Sequence, residues 1–453
     1  MRRGAGSRYS AHMNLDDTPA VPDTGAPLNA DASALLRRLR ADSQRLLSAR
    51  GDVGGLRLAQ ALVARLGVAE PGVLNGYFDY LANELNPDPA AVLRHAQAYA
   101  DRGDAPTLIA LGAAAEPPRQ ELLRRLNRSP GGTAAIVRMR QAMLTQLRRR
   151  PQWAALDADL QHLLNSWFNP GFLEMRQVDW DAPARLLEKL IAHEAVHAVD
   201  GWDDLRRRLQ PDRRCFAFFH PQLPDEPLIF VEVALLPDMP AAIAPLLDKR
   251  AQALAQDQFR VAAFYSISNC QPGLRGVSLG NFLIKRVAHQ LQLDLPRLRR
   301  FCTLSPMPGL AGWLLRKPDF AALAGLRRGR AAALAQGLDR LRERVGGDLA
   351  ALQSRAAHAL LDEQDRALLQ RLGAVYLALG SSPSGGDPVA RFHLDNGARL
   401  ERINVAANPS APGYQQSFGL MVNYLYDLDS IEPNHLQFRQ GGVARSRAVD
   451  RLL

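Results

Sequence analysis

Four groups of residues in this chain have types and spacings that suit chemistry. The first is HEAVH at His193–His197. On a helix, His193 and His197 would share one face at i and i+4, with Glu194 as general base, the arrangement of zinc peptidases. That reading needs a third ligand downstream, and Glu226 and Glu232 are the nearest acids. The competing reading is an ordinary helix end. The second group is the loop Gln271–Gly280, with glycines at Gly273, Gly276 and Gly280. It follows a β-rich run and opens a helix. Glycine lets the backbone approach a ligand closely, and a helix N-terminus offers free N–H groups to an anion. The loop is neither a GxGxxG fingerprint nor a P-loop, so it reads as a diphosphate cradle or a tight turn. The third is Ser305 in LSPMPGL, at a strand end that Pro306 and Pro308 stiffen. The fourth is His393 in RFHLDNGARLERIN, between an extended apolar run and an Asn-Gly turn. Taken singly, Ser305 reads as a turn residue and His393 as a packing residue.

These residues sit in a chain of 453 residues, which is long for one core and suggests two or three domains. Residues 1–30 are polar and without period, and read as a disordered leader with no secretory h-region. From 31 to 172 the spacing is helical throughout, in segments such as Ala34–Leu47, Leu56–Leu66 and Gly72–Leu85. Asp88-Pro89 reads as an N-cap with proline at the first helical position, and Ser129-Pro130 as another start. This part predicts an all-α bundle that packs, docks or oligomerises.

From 173 to 453 the texture is mixed. A helix near Pro183–Val199 precedes strands at Arg214–Phe219, Leu228–Leu235 and Val261–Ser268. A helix at Ser278–Leu291 and a strand at Leu298–Leu304 follow. The segment Pro318–Leu379 reads as helical, and Ser381–Pro388 as a flexible connector. Interleaved strands and helices predict an α+β domain.

Composition narrows the function classes. No apolar run reaches the roughly 18–20 residues that span a bilayer, so no membrane partner is expected. Cys215, Cys270 and Cys302 are an odd, widely spaced set of three, which argues against disulfides and cysteine-built zinc sites and suits buried thiols in the cytoplasm. The net charge of +10 comes almost wholly from arginine, with lysine only at 189, 249, 285 and 317. It suits an anionic ligand. Nucleic acid is not expected, because the basic residues are scattered along helices, and Arg148-Arg149-Arg150 sits at a helix end where cations favour the dipole.

Several long blocks together resemble the malonyl-CoA decarboxylase family. They are EAVHAVDGWDDLRRRL, DRRCFAFFHP, EPLIFVEVALL, FYSISNCQPGLRGVSLGNFLIKRV, LSPMPGLAGWLL, FHLDNGARLERINVAA and SFGLMVNYLYDLDSIEPNH, in that order across residues 173–453. A weaker helical match extends over 31–172. The resemblance implies a helical N-terminal domain followed by a catalytic domain of the GNAT acetyltransferase type, in which a central strand splays from its neighbour to admit pantetheine. It implies acyl-CoA binding by Arg275, Gly276, Val277, Ser278, Leu279, Gly280 and Asn281, with Ser266 on the preceding strand. It places catalysis on Ser305 and His393. The implied substrate and product are malonyl-CoA and acetyl-CoA, with no metal and no prosthetic group, in a homo-oligomer joined through the helical domain. Ser305 would hold the malonyl group and relay a proton, and His393, with an ordinary pKa near neutral, would act as general acid. On this resemblance HEAVH is a structural block. The alternatives are a GNAT-type acyltransferase, a zinc peptidase, and a non-catalytic acyl-CoA-binding regulator.

Overall fold

A computed structural model of the chain describes residues 28–49, 52–277, 279 and 283–453. Most of the expected leader, and the loop residues Ser278, Gly280 and Asn281, lie outside the described residues.

The N-terminal part is helical, as its spacing predicts. Helices run over Ala30–Ser48, Asp52–Gly67, Pro71–Asn83, Pro89–Arg102, Ala105–Ala115, Pro118–Asn127, Gly132–Gln146 and Ala154–Trp167. Asp88 caps its helix by accepting the Ala90 N–H, with Pro89 first in the helix. The Ser129-Pro130 start falls slightly later, with Gly131 as the cap in the left-handed region at φ 73°. Most of these helices bury a stripe on one another. The hairpin Pro89–Arg102/Ala105–Ala115 does not: Thr107 is its one buried residue, while Leu93, Leu108 and Ile109 are exposed.

The second part is built on a single sheet of eight strands among the described residues. They are β1 (Glu174–Val178), β2 (Arg213–Phe219), β3 (Ile229–Leu236), β4 (Val261–Asn269), β5 (Arg300–Thr303), β6 (Ser305–Pro306), β7 (Arg399–Asn404) and β8 (Met421–Tyr426). β1 through β4 form an antiparallel run, then β4 and β5 pair in parallel. β8 lies antiparallel to β5, β6 and β7. β2, β3 and β4 are near-continuous apolar runs because helices cover both their faces. β1, with the sequence EMRQV, went unread because it is a polar edge strand, and its charges guard the open edge. The helical part and the sheet share one continuous apolar core, from Leu39 and Trp153 through Phe264 and Val422.

Two irregularities shape the site. In the β3–β4 pair, Glu232 faces Ser266 but Val233 faces Phe264, so Tyr265 is a bulge on β4. In the β4–β5 pair, contact runs only from Val261↔Arg300 to Phe264↔Thr303, while β4 continues to Asn269. The final tie is the Leu304 N–H donated to the Phe264 carbonyl at 3.0 Å. Past it β4 and β5 pair no further.

The expected helix Pro183–Val199 stops early. It spans Ala184–His193, with Glu194 as an extended C-cap. The connector at 381–388 is more ordered than a flexible linker. Asp387 is fully buried and caps the helix Pro388–Asp395 through the Val389 and Ala390 N–H groups. His393 is therefore on a helix, where an extended run was expected.

Candidate active site

Ser305 is the residue immediately after the last tie between β4 and β5. β8 carries Tyr424, opposite Leu400 of β7, and Tyr426, opposite Phe301 of β5. His393 approaches from the helix Pro388–Asp395, and its Nε2 lies 3.0 Å from Ser305 Oγ. Asp387 ties the two elements together. Its Oδ1 caps the histidine's helix, while its Oδ2 accepts the Gly309 N–H at 3.1 Å and the Tyr376 hydroxyl at 3.2 Å. A Cβ at Gly309 would fall 2.1 Å from the Tyr376 hydroxyl oxygen, so the turn after Ser305 closes only on glycine.

The pair belongs to a longer row. Ser305 Oγ is 2.9 Å from Thr303 Oγ1, and His393 Nδ1 is 2.8 Å from the Tyr426 hydroxyl. Thr303 Oγ1 also accepts the Tyr424 N–H at 3.2 Å. The Tyr424 ring is stacked on the imidazole at 4.6 Å between centroids. Ser305 Oγ donates to Thr303 Oγ1, so a neutral imidazole completes the row by donating from Nε2 to Ser305 and accepting the Tyr426 hydroxyl at Nδ1. All four side chains are buried. Burial pushes the Tyr426 hydroxyl well above its ordinary pKa and pulls His393 down to about 3. Burial thus moves His393 away from histidine's ordinary near-neutral value and, without an anion beside it, favours a neutral imidazole, which hydrogen-bonds at both nitrogens.

The sequence analysis singled out Ser305 and His393, which the structure brings together, and did not single out their neighbours Thr303, Tyr424 and Tyr426. Thr303 carried a signal, since residues two apart on a strand share a face. Tyr424 and Tyr426 have the same spacing, but nothing in the sequence connects β8 to a histidine some thirty residues earlier.

The predicted loop lies where expected, after β4. A 3₁₀ turn, Pro272–Leu274, leads to Arg275, Gly276 and Val277. Gly276 has φ 81°, a conformation glycine adopts without strain. The Arg275 guanidinium has no carboxylate partner among the described residues. Leu279 is buried, and a helix is described over Leu283–Asp294. Ser266 lies on β4 beyond its pairing with β5, and its hydroxyl donates to Glu194 Oε1 at 2.6 Å.

HEAVH has another role. Glu194 Oε1 accepts the Val196 and His197 N–H groups, each at 2.9 Å, and Oε2 accepts the Ser268 hydroxyl at 3.0 Å. These local bonds compete with the helix and end it. His193 and His197 do not share a helix face, and His197 is half-buried, its pKa pulled down to about 4 chiefly by desolvation. Glu226 pairs with Lys189, and Glu232 with the buried Arg208. No group of three potential metal ligands occurs among the described residues. The geometry that the zinc reading requires is absent from this segment.

Comparison with known proteins gives a consistent result. The family model for the malonyl-CoA decarboxylase C-terminal domain matches residues 171–453, and the model for its N-terminal domain matches 85–168. The mitochondrial malonyl-CoA decarboxylase of Rattus norvegicus is 37% identical over 333 residues, covering 70% of this chain and 67% of the relative. That of Anser anser anser is 36% identical, covering 74% and 69%. The crystal structure of malonyl-CoA decarboxylase from Rhodopseudomonas palustris superposes with a TM-score of 0.80 at 45% identity, over 92% of this chain and 99% of that one. The structure from Agrobacterium vitis gives 0.78 at 44%, over 91% and 99%. The order of the helices and strands, the Ser305–His393 pair just past the last tie between β4 and β5, and these matches along both parts of the chain lead to one conclusion: the chain belongs to the malonyl-CoA decarboxylase family.

Proposed function

We propose that the protein decarboxylates malonyl-CoA to acetyl-CoA and CO2, with Ser305 and His393 as its catalytic pair. The observation that carries the reading is the 3.0 Å approach of Ser305 Oγ to His393 Nε2 just past the last tie between β4 and β5. The malonyl carboxylate leaves as CO2, its bonding electrons pass into the thioester as an enolate, and one proton is added to the former methylene carbon. The thioester is itself the electron sink, so neither metal nor prosthetic group is needed. Ser305 hydrogen-bonds the malonyl group, steadying charge as it moves onto the thioester oxygen. His393 supplies the proton, directly or through Ser305. The anionic substrate favours the imidazolium over the neutral ring, which opposes the effect of burial. Solvent restores the proton after product leaves.

The pantetheine arm lies along β4 beyond its pairing with β5, as in acetyltransferase-type folds, where an extended chain can bond to strand backbone. Ser266 contributes to that stretch. Its hydroxyl bond to Glu194 holds the strand in place. Arg275, Gly276, Val277, Ser278, Leu279, Gly280 and Asn281 receive the diphosphate end. The exposed apolar hairpin Pro89–Arg102/Ala105–Ala115 supports a homo-oligomer joined through the helical part. Three buried, unpaired thiols suit a reducing compartment, and we place the protein in the cytoplasm. No helix among the described residues is long and apolar enough to cross a membrane.

Purified protein incubated with malonyl-CoA in heavy water tests the reaction. Mass spectrometry of the CoA species should show acetyl-CoA with deuterium at the methyl carbon. Transfer of the acyl group to an amine acceptor, with release of free CoA thiol, would favour an acyltransferase, and unchanged malonyl-CoA would oppose both.

A further inference from the structure

The acyl-CoA loop is held by side chains from the helical part. Arg140, on the helix Gly132–Gln146, is 2% exposed. Its Nε donates to Asp157 at 2.8 Å, and its Nη1 donates to the carbonyl oxygens of Gly273 at 2.9 Å and Arg275 at 2.7 Å. Gln161 lies one turn beyond Asp157 on the helix Ala154–Trp167, so both occupy one face. Its Nε2 donates to the Gly276 carbonyl at 2.6 Å. The fit is close: a Cβ at Gly273 would fall 2.1 Å from the Val137 carbonyl oxygen. Two side chains from the helical part thus fix three loop carbonyls.

The direction of those carbonyls bears on anion binding. In a trans peptide the N–H lies on the edge opposite the C=O. Turning the Arg275 carbonyl toward Arg140 points the Gly276 N–H away from the helical part. It also removes carbonyl oxygens, which repel phosphate, from the face that the N–H groups present. The guanidinium has one carboxylate partner and spends its remaining hydrogen bonds on the loop, so its charge is set beside the loop as well.

We propose that Arg140 and Gln161 are positioning residues for acyl-CoA, setting the loop in the conformation that takes the diphosphate. This makes the helical part a working piece of the substrate site. The inference rests on the reading of Arg275–Asn281 as the diphosphate loop.

Malonyl-pantetheine, which has the same reacting thioester but no diphosphate, separates the possibilities. In Gln161→Met, a half-exposed site where folding should persist, kcat/KM for malonyl-CoA should fall about tenfold, through KM. Arg140→Met should lose more, and Arg140→Lys, which can reach one carbonyl, should fall between. Values for malonyl-pantetheine should stay within about twofold of wild type in Gln161→Met. Equal losses on both substrates, or no loss on malonyl-CoA, overturn the proposal. If the wild type itself fails to prefer malonyl-CoA, the loop reading falls and the inference with it. If the wild type prefers malonyl-CoA and Gln161→Met retains that preference, the inference alone falls.

Discussion

The Tyr426 hydroxyl lies 2.8 Å from His393 Nδ1, on the side of the ring opposite Ser305. The imidazole is therefore gripped at both nitrogens and stacked on Tyr424, which fixes its plane and its direction. Tyr426→Phe keeps the ring packing and removes one hydrogen bond. We expect kcat to fall about fivefold with little change in KM, since one such bond is worth about 1 kcal/mol. Steady-state kinetics with malonyl-CoA check this, and an unchanged kcat would show that Ser305 and packing alone orient the histidine.

Desolvation of the buried His393 and the half-buried His197 is expected to make the fold sensitive to acid. His393 is held down to about 3 and His197 to about 4, against 6.5 when exposed. Between those values and 6.5 the unfolded chain binds protons that the folded chain does not, so stability present above pH 6.5 is lost as pH falls. At pH 5 each histidine costs on the order of 2 kcal/mol. In urea unfolding followed from pH 7 to pH 5, His197→Gln should lose less stability over that range than wild type, by about that amount. Parallel pH curves would mean that His197 is not held as a neutral ring.

Glu194 is expected to be structural. It accepts four hydrogen bonds, from the Ser266 and Ser268 hydroxyls and the Val196 and His197 amides. Glu194→Gln turns one acceptor into a donor facing other donors, and should destabilise the protein by roughly 1–3 kcal/mol. Thermal unfolding gives the comparison, and an unchanged midpoint contradicts the assignment.

Treatment with EDTA should leave turnover intact, because neither the thioester chemistry nor the observed setting of HEAVH calls for zinc. Loss of activity that returns on adding zinc would reopen the metal reading.

Much of the scaffold was legible in the sequence. Apolar spacing located the N-terminal helices and the strands β2, β3 and β4, because burial on one or both faces leaves a direct pattern. β1 escaped because an edge strand with EMRQV has no such pattern. The helix near Pro183–Val199 was drawn too long because a glutamate is a good helix former. What ends the helix is the Glu194 carboxylate turning back to the Val196 and His197 N–H groups, held there by two serines more than seventy residues away on β4. Ser305 and His393 were named through the family resemblance. Their neighbours Thr303 and Tyr426 depend on how β5, β8 and one helix come together, which no local pattern records. The connector at 381–388 looked loose by composition, yet Asp387 within it joins the turn after Ser305 to the helix that carries His393.

The most direct test of the account is turnover of malonyl-CoA by Ser305→Ala and His393→Ala, each shown by circular dichroism to be folded. Loss of a positioned proton donor costs roughly 10²–10⁴ in rate. The account predicts a fall in kcat of about that size in both variants. Near-full turnover in both, with folding intact, would contradict it.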